Sequence, residues 1–401
     1  MKKLLSVALI FVLLIAAASC GSKNEQGGDA SVFEQTQPSN EKMMKILSRD
    51  GELLGQIDCR STCTAVDGGI FYSIFELGEN RYTVDAEYRF FDKESKRDVL
   101  LGTLEDQGYE AVYTRSESNG KIYTLAIVGN PMSDSPVELV LLEADPEAGS
   151  LKKYTVSENG FPYASMAVSN GKLLIMDHEM SDPKCDKLYE FDPAAETVKE
   201  VLTFSSDTDS LRGVSSAEDG FALLRLKING GGENEMFLDQ YDNDHVRVSE
   251  QSVNEALVKA AMEISGIMSR QDALNELGMH VSRFTVEEGR YLIYENFGMA
   301  RLIVDLQTGE SVLSKSDIYS FSIGSGEPYI YRMDFDPQEA EEPDITRIVD
   351  GDQVKLSFEP TDPCRLIKEV SHSHSGTWLV MTADGDSAQN SSFALYLWTE
   401  S

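Results

Sequence analysis

Leu188-Tyr189-Glu190-Phe191-Asp192-Pro193, closed by Val198, is an apolar run, an aspartate, a short polar turn and a second apolar run. This is the chemistry of a reverse turn between two strands. An aspartate at the first turn position accepts hydrogen bonds from the N–H groups that follow, and a proline presets φ at the second. The pattern returns at Phe90-Phe91-Asp92 before Val99-Leu100-Leu101, and at Leu141-Leu142-Glu143-Ala144-Asp145-Pro146 closed by Gly149. It returns again at Tyr241-Asp242-Asn243-Asp244 before Val246-Arg247-Val248, at Leu302-Ile303-Val304-Asp305 before Val312-Leu313, and at Ile348-Val349-Asp350 before Val354-Lys355-Leu356.

The aspartates recur at intervals of about 45 to 60 residues, the length of a four-stranded propeller blade. Each repeat also carries an earlier hairpin, marked by Asn119-Gly120, Asn170-Gly171 and Asp219-Gly220, dipeptides that suit two-residue loops. The expected fold is therefore all-β: a β-propeller of about seven four-stranded blades. The blades fall near 59–106, 107–158, 159–206, 207–251, 280–317, 318–361 and from 362 to the end at Phe393-Ala394-Leu395-Tyr396-Leu397-Trp398. The last is one strand short. Glu52 to Ile57 can supply it, so that N- and C-terminal strands pair and close the ring. Met44 to Arg49 also has strand character, one more than the template needs, which leaves six or eight blades open. Two separate β domains would be the other arrangement.

One segment breaks the β pattern. Ser252 and Glu255 fit a capping box, and Ala256, Leu257, Ala260, Ala261, Ile264 and Ile267-Met268 follow at helical spacing. A second short helix is expected from Ser269 to Gly278. This helical insertion, 252–278, packs on a blade or caps one mouth of the ring.

The chain has 401 residues, 41% of them apolar, and carries 68 acidic against 35 basic residues for a formal charge of −33. It is long enough for a large core. Its acidity argues against nucleic acid or an anionic membrane surface bound through a broad basic face.

Met1 to Ser19 read as a signal peptide: Lys2 and Lys3, then an apolar stretch from Leu4 to Ala18 that is short for a membrane span. Ala17-Ala18-Ser19-Cys20 resembles a bacterial lipobox, with Ala17 where Leu is commoner. The resemblance covers this segment alone. It implies cleavage before Cys20, lipidation of its thiol, attachment to a membrane through that lipid, and a place in the bacterial cell envelope outside the cytoplasm. Residues 20–43 read as the lipidated cysteine and a flexible tether, and 44–401 as the propeller domain. In strand repeat and turn pattern the chain resembles bacterial propeller lipoproteins.

Cys59, Cys63, Cys185 and Cys364 remain, and an exported setting permits disulfides. Cys59 and Cys63 are spaced for a local bridge; the other pairings stay open.

The densest polar constellation is Ser371-His372-Ser373-His374-Ser375-Gly376-Thr377-Trp378. His372 and His374 share one face of a strand, and with Trp378 they are the candidate ligand-binding residues. Two imidazoles fall short of a metal site. The stretch also resembles the Asp-box turn of sialidase-type propellers at Ser371, Thr377 and Trp378, with Ser373 and Ser375 at its Asp and Gly positions. That turn is structural in its family. Acidic pairs such as Asp207-Asp209, Asp242-Asp244, Asp350-Asp352 and Asp384-Asp386 offer oxygen ligands to Ca²⁺ but lack the rest of an EF-hand loop, so no cofactor is expected.

No phosphate loop, nucleophile elbow, zinc-protease helix or dinucleotide fingerprint occurs. The sequence therefore points to a lipid-anchored extracytoplasmic propeller that binds a protein, peptide or glycan. The alternatives are a glycan hydrolase or lyase on the same scaffold, and a transporter-associated solute-binding lipoprotein with two α/β lobes.

Overall fold

The computed structural model describes residues 43–58, 62–77, 83–108, 115–130, 137–160, 165–179, 184–217, 219–229, 234–265, 269, 283–287, 291–296, 300–305, 311–313, 318–323, 330–334, 344–349, 352–356, 366–373, 375–384 and 392–399. The strands are β1 (Met43–Leu47), β2 (Leu53–Asp58), β3 (Thr62–Val66), β4 (Gly69–Leu77), β5 (Thr83–Asp92), β6 (Arg97–Gly108), β7 (Arg115–Ser118), β8 (Lys121–Val128), β9 (Glu138–Asp145) and β10 (Ser150–Ser157). They continue with β11 (Ser165–Ser169), β12 (Lys172–Glu179), β13 (Cys185–Asp192), β14 (Thr197–Ser205), β15 (Asp209–Ala217), β16 (Gly220–Lys227), β17 (Glu235–Asp242) and β18 (Arg247–Ser252). Helix α1 (Asn254–Ser265) follows. Then come β19 (Arg283–Glu287), β20 (Tyr291–Asn296), β21 (Ala300–Asp305), β22 (Ser311–Leu313), β23 (Ile318–Ile323), β24 (Ile330–Asp334), β25 (Asp344–Val349), β26 (Asp352–Leu356), β27 (Leu366–His372), β28 (Thr377–Asp384) and β29 (Ser392–Thr399).

Consecutive strands pair antiparallel into four-stranded sheets: β11–β14, β15–β18, β19–β22 and β23–β26. An eight-stranded sheet is two such units, β3–β6 and β7–β10, joined by one pairing, Gln107 with Val128. The first strands of neighbouring sheets lie together, β7 by β11, β11 by β15, β15 by β19, β23 by β27 and β27 by β3. That is how propeller blades stack about an axis, and it is not the two α/β lobes of a solute-binding fold. The apolar cores sit between adjacent sheets. Tyr123, Leu141 and Phe191 meet between β7–β10 and β11–β14, and Leu174, Leu188, Leu211 and Leu223 between β11–β14 and β15–β18.

The turn aspartates behave as their chemistry demands. Asp92 Oδ1 accepts from Ser95 N–H at 2.6 Å, and Asp145 Oδ1 from Ala148 N–H at 2.8 Å. Asp192 Oδ1 takes the N–H groups of Ala194 and Ala195 at 2.9 and 3.2 Å. Asp242 Oδ1 takes those of Asp244 and Val246 at 3.0 and 2.9 Å. Each of these turns then passes through positive φ, at Lys96, Gly149, Glu196 and His245.

Three of those four positions keep a side chain despite the steric cost of about 1–2 kcal/mol. In each, the side chain crosses to the preceding sheet. Lys96 Nζ reaches Glu52 at 2.8 Å, Lys152 Nζ meets Glu196 at 2.5 Å, and His245 Nε2 lies 2.9 Å from Glu190 Oε2.

Asn119-Gly120 and Asn170-Gly171 form the expected two-residue loops, with φ of 53° and 74°, and 48° and 73°. Asp219-Gly220 differs. Gly220 is already paired, with Ala217, and opens β16 opposite Asp242. There a Cβ would lie 2.0 Å from the Tyr241 carbonyl oxygen, so glycine is required for the close approach of two backbones.

The termini also differ from expectation. Met43–Leu47, not the segment from Glu52 to Ile57, pairs with β29, in parallel, Lys45 with Ala394 and Leu47 with Tyr396. Leu53–Asp58 then adds outside it as a fifth strand, in the order β2-β1-β29-β28-β27. Both N-terminal strands are thus used. The β1 register buries Met44 and Ile46 with Leu395, Leu397, Ile70 and Tyr72; β2 buries only Ile57 completely and leaves Leu53 exposed.

The helix starts at Asn254, because Ser252 still belongs to β18 and Asn254 Oδ1 accepts from Met236 N–H at 2.6 Å. It lies against β17 and β21. The expected second helix falls outside the described residues.

Asp192→Ala removes the acceptor of two turn N–H groups and is expected to cost about 1–2 kcal/mol, read as a lower urea midpoint. Gly220→Ala is expected to cost more than Asp192→Ala in the same measurement. Equal midpoints for Gly220→Ala and the parent would show that the β16–β17 approach is not tight.

Candidate functional site

The stretch singled out in sequence lies where β27 turns into β28, and its serines and Trp378 make structural contacts. Ser373 Oγ accepts from Thr377 N–H at 3.0 Å. Ser371 Oγ accepts from Ala65 N–H at 2.7 Å, and Ser375 N–H donates to Asp67 at 2.9 Å, so this turn is stitched to the β3–β4 hairpin. Asp67 N–H in turn donates to Glu117 at 3.2 Å.

Trp378 is fully buried and stacks on its cross-strand partner Trp398, with ring centroids 5.8 Å apart. Its ring belongs to the core. His372 ends β27 opposite Trp378. His374, Cys20 and Cys59 lie outside the described residues. Cys63 is buried in β3.

The residues with site-like chemistry lie elsewhere, at the junction of the β11–β14 and β15–β18 sheets. His178 and Asp186 are direct cross-strand partners on β12 and β13. His178 Nδ1 lies 2.8 Å from Asp186 Oδ1, and since a carboxylate only accepts, that nitrogen carries the proton. Ser206 Oγ also reaches Oδ1, at 3.3 Å, while Oδ2 accepts from Leu211 N–H at 2.6 Å. Burial pushes the Asp186 carboxyl up, but His178, the Leu211 N–H and Ser210 outweigh it and hold the group below the usual carboxylate range.

Arg212 stands beside this pair. The β15–β16 register steps from Leu211–Arg225 to Gly213–Leu224, so Arg212 is the extra residue of a β-bulge, a device that re-aims a side chain. Its Nε is buried with no hydrogen-bond partner among the described residues. Burial pulls its guanidinium below the ordinary value, partly offset by the nearby Asp186 charge.

Arg225, opposite the bulge, shows the contrary case. It forms a fork on Asp239, Nε–Oδ2 2.6 Å and Nη2–Oδ1 3.2 Å, and reaches Asp209 and Glu250 at 2.6 Å each. Phe237 covers it, 5.1 Å to the ring centroid. Burial lowers Arg225, and the Asp239 and Asp209 carboxylates more than reverse this.

The sequence by itself marks none of His178, Asp186, Arg212 and Arg225 as site residues. For Arg225 a signal existed: a charge inside the apolar run Phe221 to Leu226. For Asp186 there was none, since its partners come from β12, the β14–β15 turn and β15. Among the described residues no three His, Cys, Asp or Glu side chains converge as a metal site would require.

Neither a protein-family model nor a curated protein matches the chain. Among solved structures it is similar to the β-propeller domain of the Trilobed protease from Pyrococcus furiosus, at 12% identity over 77% of this chain and 84% of that one, TM-score 0.45. It is similar to the polysaccharide lyase Uly1 at 11% identity over 84% and 89%, TM-score 0.46. It also matches Pyrococcus horikoshii acylaminoacyl peptidase at 12% identity, covering 84% of this chain but 50% of that one, TM-score 0.47. These likenesses concern the fold and say nothing of activity.

Arg225→Ala leaves buried Asp239 with only the longer contact to Arg247, 3.6 Å, among the described residues, and is expected to cost about 3 kcal/mol, read in urea unfolding. The Asp186 carboxyl is lowered on folding, so its contribution is complete above the ordinary carboxyl range and is lost as pH falls through the folded value. Asp186→Asn is therefore expected to flatten the loss of stability below about pH 4. Parallel pH profiles for the two proteins would refute this.

Proposed function

We propose that the chain is a lipid-anchored, extracytoplasmic β-propeller of seven blades that works as a binding module. Six units are β3–β6, β7–β10, β11–β14, β15–β18, β19–β22 and β23–β26; the seventh combines β27–β29 with β1 and β2. Pairing of β1 with β29 closes the ring. Cys20 is the lipidated residue, and residues 20–43 tether the ring to the membrane. This part rests on the lipobox resemblance and on the propeller topology.

The observation that carries the binding reading is the state of Asp186. His178, Ser206, Ser210 and the Leu211 N–H all donate to it. A carboxylate held by this many donors, and kept below its usual range, stays ionised near neutral pH and positions its neighbours. What it holds in place, an imidazole, is a group suited to recognition. The partner is a protein, peptide or glycan met outside the cytoplasm.

Two measurements test this. In a bacterial host, the parent chain is expected to incorporate labelled palmitate and partition into detergent, and Cys20→Ala to do neither. Labelling that persists in Cys20→Ala overturns the anchor. The full chain in detergent, offered arrays of peptides and polysaccharides, is expected to retain a partner without shortening it. New reducing ends or new amino termini would make it an enzyme.

A further inference from the structure

We propose that Arg212, set on the β-bulge at the junction of the β11–β14 and β15–β18 sheets, receives the carboxylate group of a small organic acid beside the His178–Asp186 pair. This deepens the binding reading above and rests on it.

The argument begins with supply. The chain holds 68 acidic residues against 35 basic ones, so a half-buried arginine has no shortage of carboxylates to pair with. Yet the structure gives Arg212 no hydrogen bond or ion pair among the described residues, and its Nε is sealed from solvent without an acceptor. The carboxylates around it are committed. Asp209, Asp239 and Glu250 are drawn to Arg225, and both oxygens of Asp186 are occupied by other donors. A buried donor left unmade is a standing cost, and departures from local satisfaction concentrate at functional sites.

The backbone supports the same conclusion. Without the bulge, the residue after Leu211 would take the opposite face of β15. The extra residue instead lets Leu211 and Val214 both enter the intersheet core and sets Arg212 next in the chain to Leu211, whose N–H binds Asp186. A distortion of the ladder is maintained, and its product is a guanidinium whose Nε has no partner among the described residues.

The ligand class follows from geometry and charge. A guanidinium presents parallel N–H donors that match the two oxygens of a carboxylate. Asp186 stands close with its own negative charge, which disfavours a multiply charged anion over a singly charged one. His178 adds discrimination. With Nδ1 engaged by Asp186, the ring presents Nε2 for a second hydrogen bond. An acid that also bears a hydroxyl, such as a hydroxy acid or an acidic sugar, satisfies both groups.

The test is isothermal titration of the full chain in detergent with glycolate, galacturonate, sulfate and inorganic phosphate. The parent is compared with Arg212→Met and Arg212→Lys. Expected are saturable binding of glycolate and galacturonate, weakened about ten-fold or more in Arg212→Met and less in Arg212→Lys. Arg212→Met is also expected to melt at a higher temperature than the parent, because it removes an unpaired buried charge. The proposal is overturned by a cooperatively melting parent that binds neither acid, or by binding unchanged in Arg212→Met. Preference for sulfate or phosphate, or a lower melting temperature for Arg212→Met, overturns it too; the latter would make the arginine a structural group. Conversion of galacturonate to a product would leave the Arg212 site standing and refute the binding-module reading alone.

Discussion

The assembly depends on one small device, the aspartate-capped turn between the third and fourth strands of a sheet. The carboxylate takes the N–H groups that the turn leaves unpaired, and the chain then enters positive φ. Lys96, Glu196 and His245 accept that strained backbone while keeping long side chains, and each reaches a carboxylate or amine on the preceding sheet. At Gly149 the side chain is missing, and a Cβ there would face Val99, also on the preceding sheet. One turn therefore does two jobs: it reverses the strand and sets the spacing to the neighbouring sheet. Exposed ion pairs are individually weak, about 0–1 kcal/mol. Their part is to fix direction, while intersheet cores such as that around Phe191 supply the burial energy.

What the sequence made legible was the local chemistry. Turn aspartates and Asn-Gly loops are read from single residues, so sheet boundaries followed closely. The terminal strands were harder. Met43–Leu47 and Leu53–Asp58 have similar composition, and only the fit of Met44 and Ile46 against Leu395 and Leu397 decides which pairs with β29. Helix α1 began late because the strand β18 competes for Ser252. The polar site was illegible for another reason. Asp186 and His178 are cross-strand partners, Leu211 comes from the next sheet, and Arg212 depends on a register shift. None of these leaves a spacing in the chain. Trp378, by contrast, shares one short run with polar residues because a hairpin end brings a core aromatic next to a turn.

Arg225 and Arg212 show two answers to one electrostatic problem. Taking a guanidinium out of water is expensive, and the cost is offset only by well-placed acceptors. Arg225 has three carboxylates and an aromatic face. Arg212, across the bulge, is left with the field of a carboxylate already occupied. In a chain this acidic, positive charge is the scarce commodity, and where it stays uncommitted says more than where it is neutralised.

The order β2-β1-β29 has a mechanical side. β1 is the first described strand, and any pull arriving through the residues before Met43 reaches it first. It is not an edge strand: β29 holds one flank in parallel and β2 covers the other. An edge strand can be peeled one hydrogen bond at a time. A strand clasped on both sides has to slide past two neighbours at once, so load spreads across two ladders. The outermost position falls to β2, which the chain reaches only after β1 and which bears such a pull only through it.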